Sequence, residues 1–169
     1  GPKGIGFLYA SSMDFDSYLH GGDQEQKKRA GTENLAAIIG MVAALKEDLD
    51  HQAEHYQKLE GLKTVFLEEI AGLNYYLNES KHQLPYVFNI GFPGQKNDLL
   101  LLRLDLEGIS ISTGSACTAG VVQTSHVLEA FYGPDSPRLK ESVRISLSPL
   151  NTETELKQLA QTLKNIIGD

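Results

Sequence analysis

The stretch YVFNIGFPGQKNDLLLLRLDLEG, residues 86–108, sets the fold class. Tyr86 to Phe92 reads as a strand; Asn97 then stands as a helix cap, the helix runs to Glu107, and Gly108 ends it. Outward from this pair, short elements keep alternating. Upstream, Tyr75 to Asn78 is a strand candidate. Downstream, Ile109 and Ile111 alternate with serines as in a half-buried strand, Ser125 opens a short helix to Tyr132, and Val143 to Leu147 is another strand. Thr152 and Glu155 form a capping box, and Leu156, Leu159, Ala160, Leu163, Ile166 and Ile167 mark the apolar face of a last helix. The alternation predicts an α/β class chain with an α+β small domain, helices lying over one face of a small sheet.

Before this region the pattern is different. Gly4 to Ala10 (GIGFLYA) reads as a short buried strand, and Ser11 to Gly31 as a long polar loop without periodicity. A loop of that length is usually functional or disordered. Thr32 suits an N-cap and Glu33 the positive end of a helix. Leu35, Ile38, Ile39, Val42, Leu45 and Leu49 recur at helical spacing, and the phase continues through Tyr56, Leu59, Leu62, Phe66 and Ile70 until Gly72 stops it. This predicts one helix of about 58 Å, or two nearly collinear ones meeting near Asp48 to Gln52, acting as a connector. The expected organisation is therefore a strand and loop over 1–34, a connecting helix over 35–72, and a small domain over 73–169.

Composition narrows the classes. The 169 residues carry 22 acidic and 15 basic side chains, a formal net charge of −7, with 41% hydrophobic content, which suits a soluble globular chain. The basic residues are scattered, and the longest run, Lys27-Lys28-Arg29, argues against a nucleic-acid surface. No apolar run approaches the roughly 18 residues of a membrane span. A single cysteine rules out an internal disulfide framework and a cysteine-rich zinc site, and fits a reducing compartment, hence a cytoplasmic location. The chain opens Gly1-Pro2-Lys3-Gly4, almost at once into strand-like sequence, which predicts a piece of a longer protein.

Three places could carry chemistry. Cys117 lies in ISTGSACTAG (111–120), among small and polar residues rather than the apolar neighbours of a structural cysteine. A thiol that must reach a substrate needs such a loop, and its thiolate is the nucleophile; an incidental loop cysteine fits the same composition. Arg144 interrupts the apolar strand Val143 to Leu147: it either points to solvent or presents a planar guanidinium to a carboxylate in a cleft. The segment Arg29 to Asn34 offers a glycine, a hydroxyl and helix N-terminal amides, suited to a phosphate or to an ordinary cap. His51 and His55 share a helix face without a third ligand in view, and His126 follows Cys117 by nine residues with no acyl-transfer signature around it.

Together, GPKGIGFLY (1–9), HGGDQEQKKRAGTENLAAIIGM (20–41), ISTGSACTAG (111–120), SHVLEAFYG (125–133) and VRISLSPLNTETEL (143–156) resemble the cysteine desulfurase family, in the class V aminotransferase group of fold-type-I pyridoxal-phosphate enzymes. The resemblance spans nearly the whole chain and implies the C-terminal part of such an enzyme. It implies pyridoxal 5'-phosphate as cofactor, L-cysteine as substrate, a homodimer, and an acceptor or scaffold protein for the sulfur. By this resemblance Cys117 takes up the sulfur as a persulfide, Thr32 binds the cofactor phosphate across the dimer interface, and Arg144 holds the substrate carboxylate. GPKG follows the cofactor-holding lysine closely in the family; Lys3 lies inside that motif and is a different residue. The chain alone is thus expected to be inactive. A non-catalytic interaction module on the same fold and a selenocysteine lyase are the alternatives. The chain departs from the family pattern at Asp23 and Lys27, where glycines are usual, at Gln123-Thr124, where Glu-Pro is usual, and at Ser148-Pro149, where Gly-Arg is usual.

Overall fold

The computed structural model describes residues 1–114 and 124–168. The chain divides into two compact units, Gly1–Gln52 and Ala53–Asp169.

In the first unit the expected strand at Gly4 to Ala10 does not form. Phe7, Leu8 and Tyr9 are 69%, 75% and 85% exposed. A strand needs a neighbour for its ladder, and no other strand lies among the described residues of this unit. The long loop has structure of its own, contrary to expectation. Leu19 and Arg29 form an isolated parallel bridge, and the Lys28 ammonium donates to the Phe15 carbonyl at 2.6 Å while lying 4.9 Å from its ring centre. Between them, α1 (Gln24–Lys27) is a single turn with φ of +48°, +55° and +65° at Glu25, Gln26 and Lys27. Three successive side chains in this left-handed region cost about 1–2 kcal/mol each. Lys27, one of the departures from the family's usual glycine, is among them.

The first long helix, α2 (Leu35–Asp50), starts later than Thr32 suggests. Asn34 is the N-cap, its Oδ1 accepting from the Ala37 amide at 3.2 Å. A carboxamide oxygen at that position reaches the third amide onward as well as a hydroxyl would. The helical run breaks at His51 (φ −111°, ψ 8°), inside the expected window, and α3 (Gln52–Glu69) follows.

The second unit is built on a three-stranded antiparallel sheet in the order β1 (Tyr76–Leu77), β2 (Val87–Gly91), β3 (Ser142–Ser146). Phe88, Ile90, Val143 and Ile145 point to one face, where Leu62, Phe66 and Ile70 from the α3 region meet them. Two further helices complete that layer, α4 (Asn97–Leu106) through Leu100 and Leu104, and α7 (Glu153–Gly168) through Leu156, Ala160 and Leu163. Helices over one face of a small sheet are what the sequence pattern predicts. The capping box also holds: Thr152 N donates to Glu155 Oε2 at 2.8 Å and Glu155 N to Thr152 Oγ1 at 3.3 Å.

Two expectations fail here for physical reasons. Asn97 is not the cap of α4; Lys96 occupies that position. Asn97 is buried, and its amide donates to the carbonyls of Leu139 and Ser142 at 3.2 and 3.0 Å, joining α4 to the start of β3. Ile109 and Ile111 do not make a strand. Among the described residues of this stretch only Ser112 reaches the β3 edge, exchanging two backbone bonds with Arg144 at 3.1 and 2.7 Å. Two short helices lie between, α5 (His126–Tyr132), capped by Ser125 Oγ, and α6 (Arg138–Glu141).

Candidate functional site

Because side chains alternate across a strand, the face of the sheet away from the core carries Val87, Asn89 and Gly91 on β2 and Ser142, Arg144 and Ser146 on β3. Asn78 follows β1 on the same face, its amide donating to the Asn89 carbonyl at 2.9 Å. This polar face floors a cleft of about 360 Å³, walled by α5 through His126, Val127 and Phe131. The volume falls in the range of small-ligand sites.

Arg144 lies in this cleft rather than free in solvent. It is partly buried, and its Nε is a buried donor with no hydrogen-bond partner among the described residues. Such a donor carries a desolvation cost until an acceptor arrives. The cleft's carboxylate, Glu79, forms an ion pair with Lys63 outside it. Gly114 and Ser125 also line the cleft. Cys117 lies outside the described residues.

Beside Arg144 runs a network that the sequence reading missed. Arg138 Nη1 donates to Asn78 Oδ1 at 2.6 Å. Asn78 Nδ2 donates to Asn89 Oδ1 at 2.7 Å and to Ser142 Oγ at 2.9 Å. The Arg138 guanidinium lies 4.1 Å from the ring centre of Tyr76 and 4.5 Å from that of Tyr132, positions of cation–π attraction. The Tyr76 hydroxyl donates to Glu141 Oε2 at 3.2 Å, and Glu141 Oε1 accepts from the Gly94 amide at 2.9 Å. Burial pushes the Tyr76 phenol above its ordinary pKa, and the Glu141 carboxylate adds to the rise. A signal for Asn89 was present: it is a polar residue inside YVFNIGF, two positions from Val87 and Gly91, as Arg144 is inside its own strand.

In the first unit Thr32 is exposed on the loop before α2. Since Asn34 Oδ1 accepts from the helix amide, the Thr32 hydroxyl is not spent as the cap, and its O–H can donate to a ligand. Gly31 has φ +103°, and a Cβ there would lie 3.0 Å from Arg29 Nη1, so the guanidinium folds close over this turn. A hydroxyl, a guanidinium and a helix N-terminus make a donor set that fits a phosphate. Lys3 is exposed. His51 Nδ1 lies 3.0 Å from the Glu47 carbonyl, and among the described residues no three His, Cys, Asp or Glu gather into a metal site. No helix among them is long and apolar enough to cross a membrane.

The chain belongs to the aminotransferase class-V family, whose sequence profile matches residues 1–159. Within that family the relatives it matches include proteins named as cysteine desulfurases. It is 43% identical over 171 residues to IscS 1 of Bacillus subtilis (strain 168), whose name carries a provisional assignment as cysteine desulfurase. It is 37% identical to the cysteine desulfurase IscS of Dictyoglomus turgidum. Each alignment covers 99% of this chain but 45% and 43% of the relative, so the chain spans less than half the length of the curated relatives it matches. Among solved structures it is similar to a NifS-like protein from Rickettsia africae, with a TM-score of 0.76 at 28% identity, over 90% of this chain and 40% of the other.

Proposed function

We propose that this chain forms part of a longer pyridoxal 5'-phosphate-dependent cysteine desulfurase, in which Cys117 receives the sulfur of L-cysteine. The observation that carries the reading is Arg144: a partly buried arginine in a small-ligand cleft, with a buried donor lacking a partner among the described residues. Its fork suits the carboxylate of an amino-acid substrate. Gly114 and Ser125 line the same cleft. Cys117 follows Gly114 by three residues, and three residues of chain reach at most about 11 Å. A reach of that length is enough to bring the thiol to a substrate held by Arg144.

In this reading Thr32 binds the cofactor phosphate, with a second copy of the enzyme completing the site. Bound pyridoxal 5'-phosphate supplies the electron sink that makes the Cβ–S bond of cysteine cleavable. The Cys117 thiolate attacks the substrate sulfur; the S–S bond forms as the Cβ–S bond breaks, leaving a Cys117 persulfide and, after protonation at Cβ, L-alanine. The persulfide then passes its outer sulfur to an acceptor thiol. The enzyme works in the cytoplasm, where thiols stay reduced.

The test uses the full-length enzyme. With a thiol reductant it releases sulfide from L-cysteine; without one, mass spectrometry finds about 32 Da added at Cys117 (one sulfur atom, a persulfide). Cys117→Ser abolishes both. Sulfide release that survives Cys117→Ser would overturn the assignment, and a preference for selenocysteine would move the enzyme to the lyase class.

A further inference from the structure

The network beside Arg144 has a direction, and it ends in the cleft. Arginine has only donors. Arg138 Nη1 therefore requires an acceptor at 2.6 Å, which fixes that atom of Asn78 as its oxygen. The other end of the Asn78 carboxamide is then NH2, and both its hydrogens are taken, by Asn89 at 2.7 Å and Ser142 at 2.9 Å. The Asn89 atom that meets Asn78 must in turn be oxygen. What remains of Asn89 is its NH2 group, which donates to nothing among the described residues.

Asn89 is the direct cross-strand partner of Arg144, and both line the cleft. Facing residues on neighbouring antiparallel strands hold their Cβ atoms about 5 Å apart. The cleft floor thus presents two adjacent donor groups, the Asn89 amide and the Arg144 guanidinium. The one carboxylate lining the cleft among the described residues, Glu79, is ion-paired with Lys63. A planar ligand group with acceptors only answers both.

We propose that Asn89 is a second binding group for the substrate carboxylate, and that Arg138, acting through Asn78, is a positioning residue that keeps its NH2 turned to the cleft. The proposal rests on the desulfurase reading for its substrate. The polarity of the relay is the reason an arginine is needed at the far end: a glutamine there accepts as readily as it donates, and Asn78 and Asn89 could then both turn over.

The experiment uses the full-length holoenzyme and two ligands, L-alanine, which has the carboxylate, and cysteamine, which has the amine and thiol without it. Calorimetry gives their dissociation constants, and turnover gives KM and kcat for L-cysteine. With Asn89→Leu, L-alanine binding and the KM for L-cysteine weaken about tenfold, the size of one charge-assisted hydrogen bond, while cysteamine binding and kcat stay within about twofold. Arg138→Gln shifts the same quantities in the same direction by about threefold, and Arg138→Lys, again a donor only, restores them. Equal weakening of L-alanine and cysteamine would mean a merely structural role and overturn the proposal, as would no change in either. If the wild-type protein releases no sulfide from L-cysteine, the desulfurase reading fails, while the two calorimetric titrations still decide whether Asn89 holds a carboxylate.

Discussion

Gly91→Ala sets two effects of known size against each other. Gly91 stands opposite Tyr76 in the sheet, and its φ is not among the positive values, so the backbone itself accepts alanine. In a strand that exchange alone stabilises by about 0.5–1 kcal/mol, through a smaller entropy loss on folding. The space is the difficulty. A Cβ at Gly91 would lie 2.2 Å from Cε2 and Cζ of Tyr76 and 2.4 Å from its hydroxyl. The ring is stiff, stacked on Arg138 at 4.1 Å and bonded to Glu141 at 3.2 Å. Overpacking of this kind costs about 1–3 kcal/mol, the hydroxyl bond about 1, and the cation–π contact about 0.5–1. The steric side wins, with a net loss of about 2–4 kcal/mol. Urea unfolding followed by circular dichroism measures it, and the melting temperature falls by about 2–4 °C per kcal/mol. In a Tyr76→Ala background the ring is gone, and Gly91→Ala becomes neutral or stabilising. An equal penalty in both backgrounds, or a Gly91→Ala protein as stable as the wild type, refutes the reasoning.

Phe66, fully buried and 5.5 Å from the Phe88 ring centre, joins α3 to the sheet; Phe66→Ala costs about 3–5 kcal/mol in the same urea assay, and a loss below 1 kcal/mol would mean that the three-helix layer is not the core. The Glu155 carboxyl is held below its ordinary pKa, first by the Thr152 amide and then by Asn151. A lowered folded-state pKa stabilises above the unfolded value of 4.5 and is lost as pH falls through the folded one. Melting temperature therefore drops more steeply below pH 4.5 in the wild type than in Glu155→Gln, and identical acid limbs would sink the capping-box account.

What the sequence revealed depended on how far each element reaches for its partners. The Thr152–Glu155 box closes over three residues, so it was legible from spacing alone. The apolar face of α7 was legible because one helix repeats its own period. Gly4 to Ala10 has the composition of a buried strand, yet pairing is decided by a partner segment that composition does not contain. Asn97 looked like a cap because asparagine favours that role, but two carbonyls more than 40 residues away claimed its amide. Arg144 stood out because a charge breaks an apolar strand; Asn89 carries the same period-two signal, muted because an asparagine in a strand is less conspicuous than an arginine.

The position of the site follows from the half-covered sheet. Three helices need only one face of it, so the other face must be polar wherever water reaches. On that face a charged residue would ordinarily be solvated and silent. Here α5 stands over the strands and turns the polar face into a cleft. Both ends of the run holding Cys117 are tied at this cleft: Ser112 is bonded to the Arg144 backbone on one side, and Ser125 caps α5 on the other. The group proposed to hold the substrate and the start of the chain that carries the thiol are thus joined by two backbone hydrogen bonds. A change that shifts β3, such as a cavity under Ile145, moves both together, whereas a change in the Ser125 cap moves one end of the run alone. In the proposed desulfurase the second kind alters kcat for sulfur transfer with KM for L-cysteine held, because it leaves Arg144 where it is.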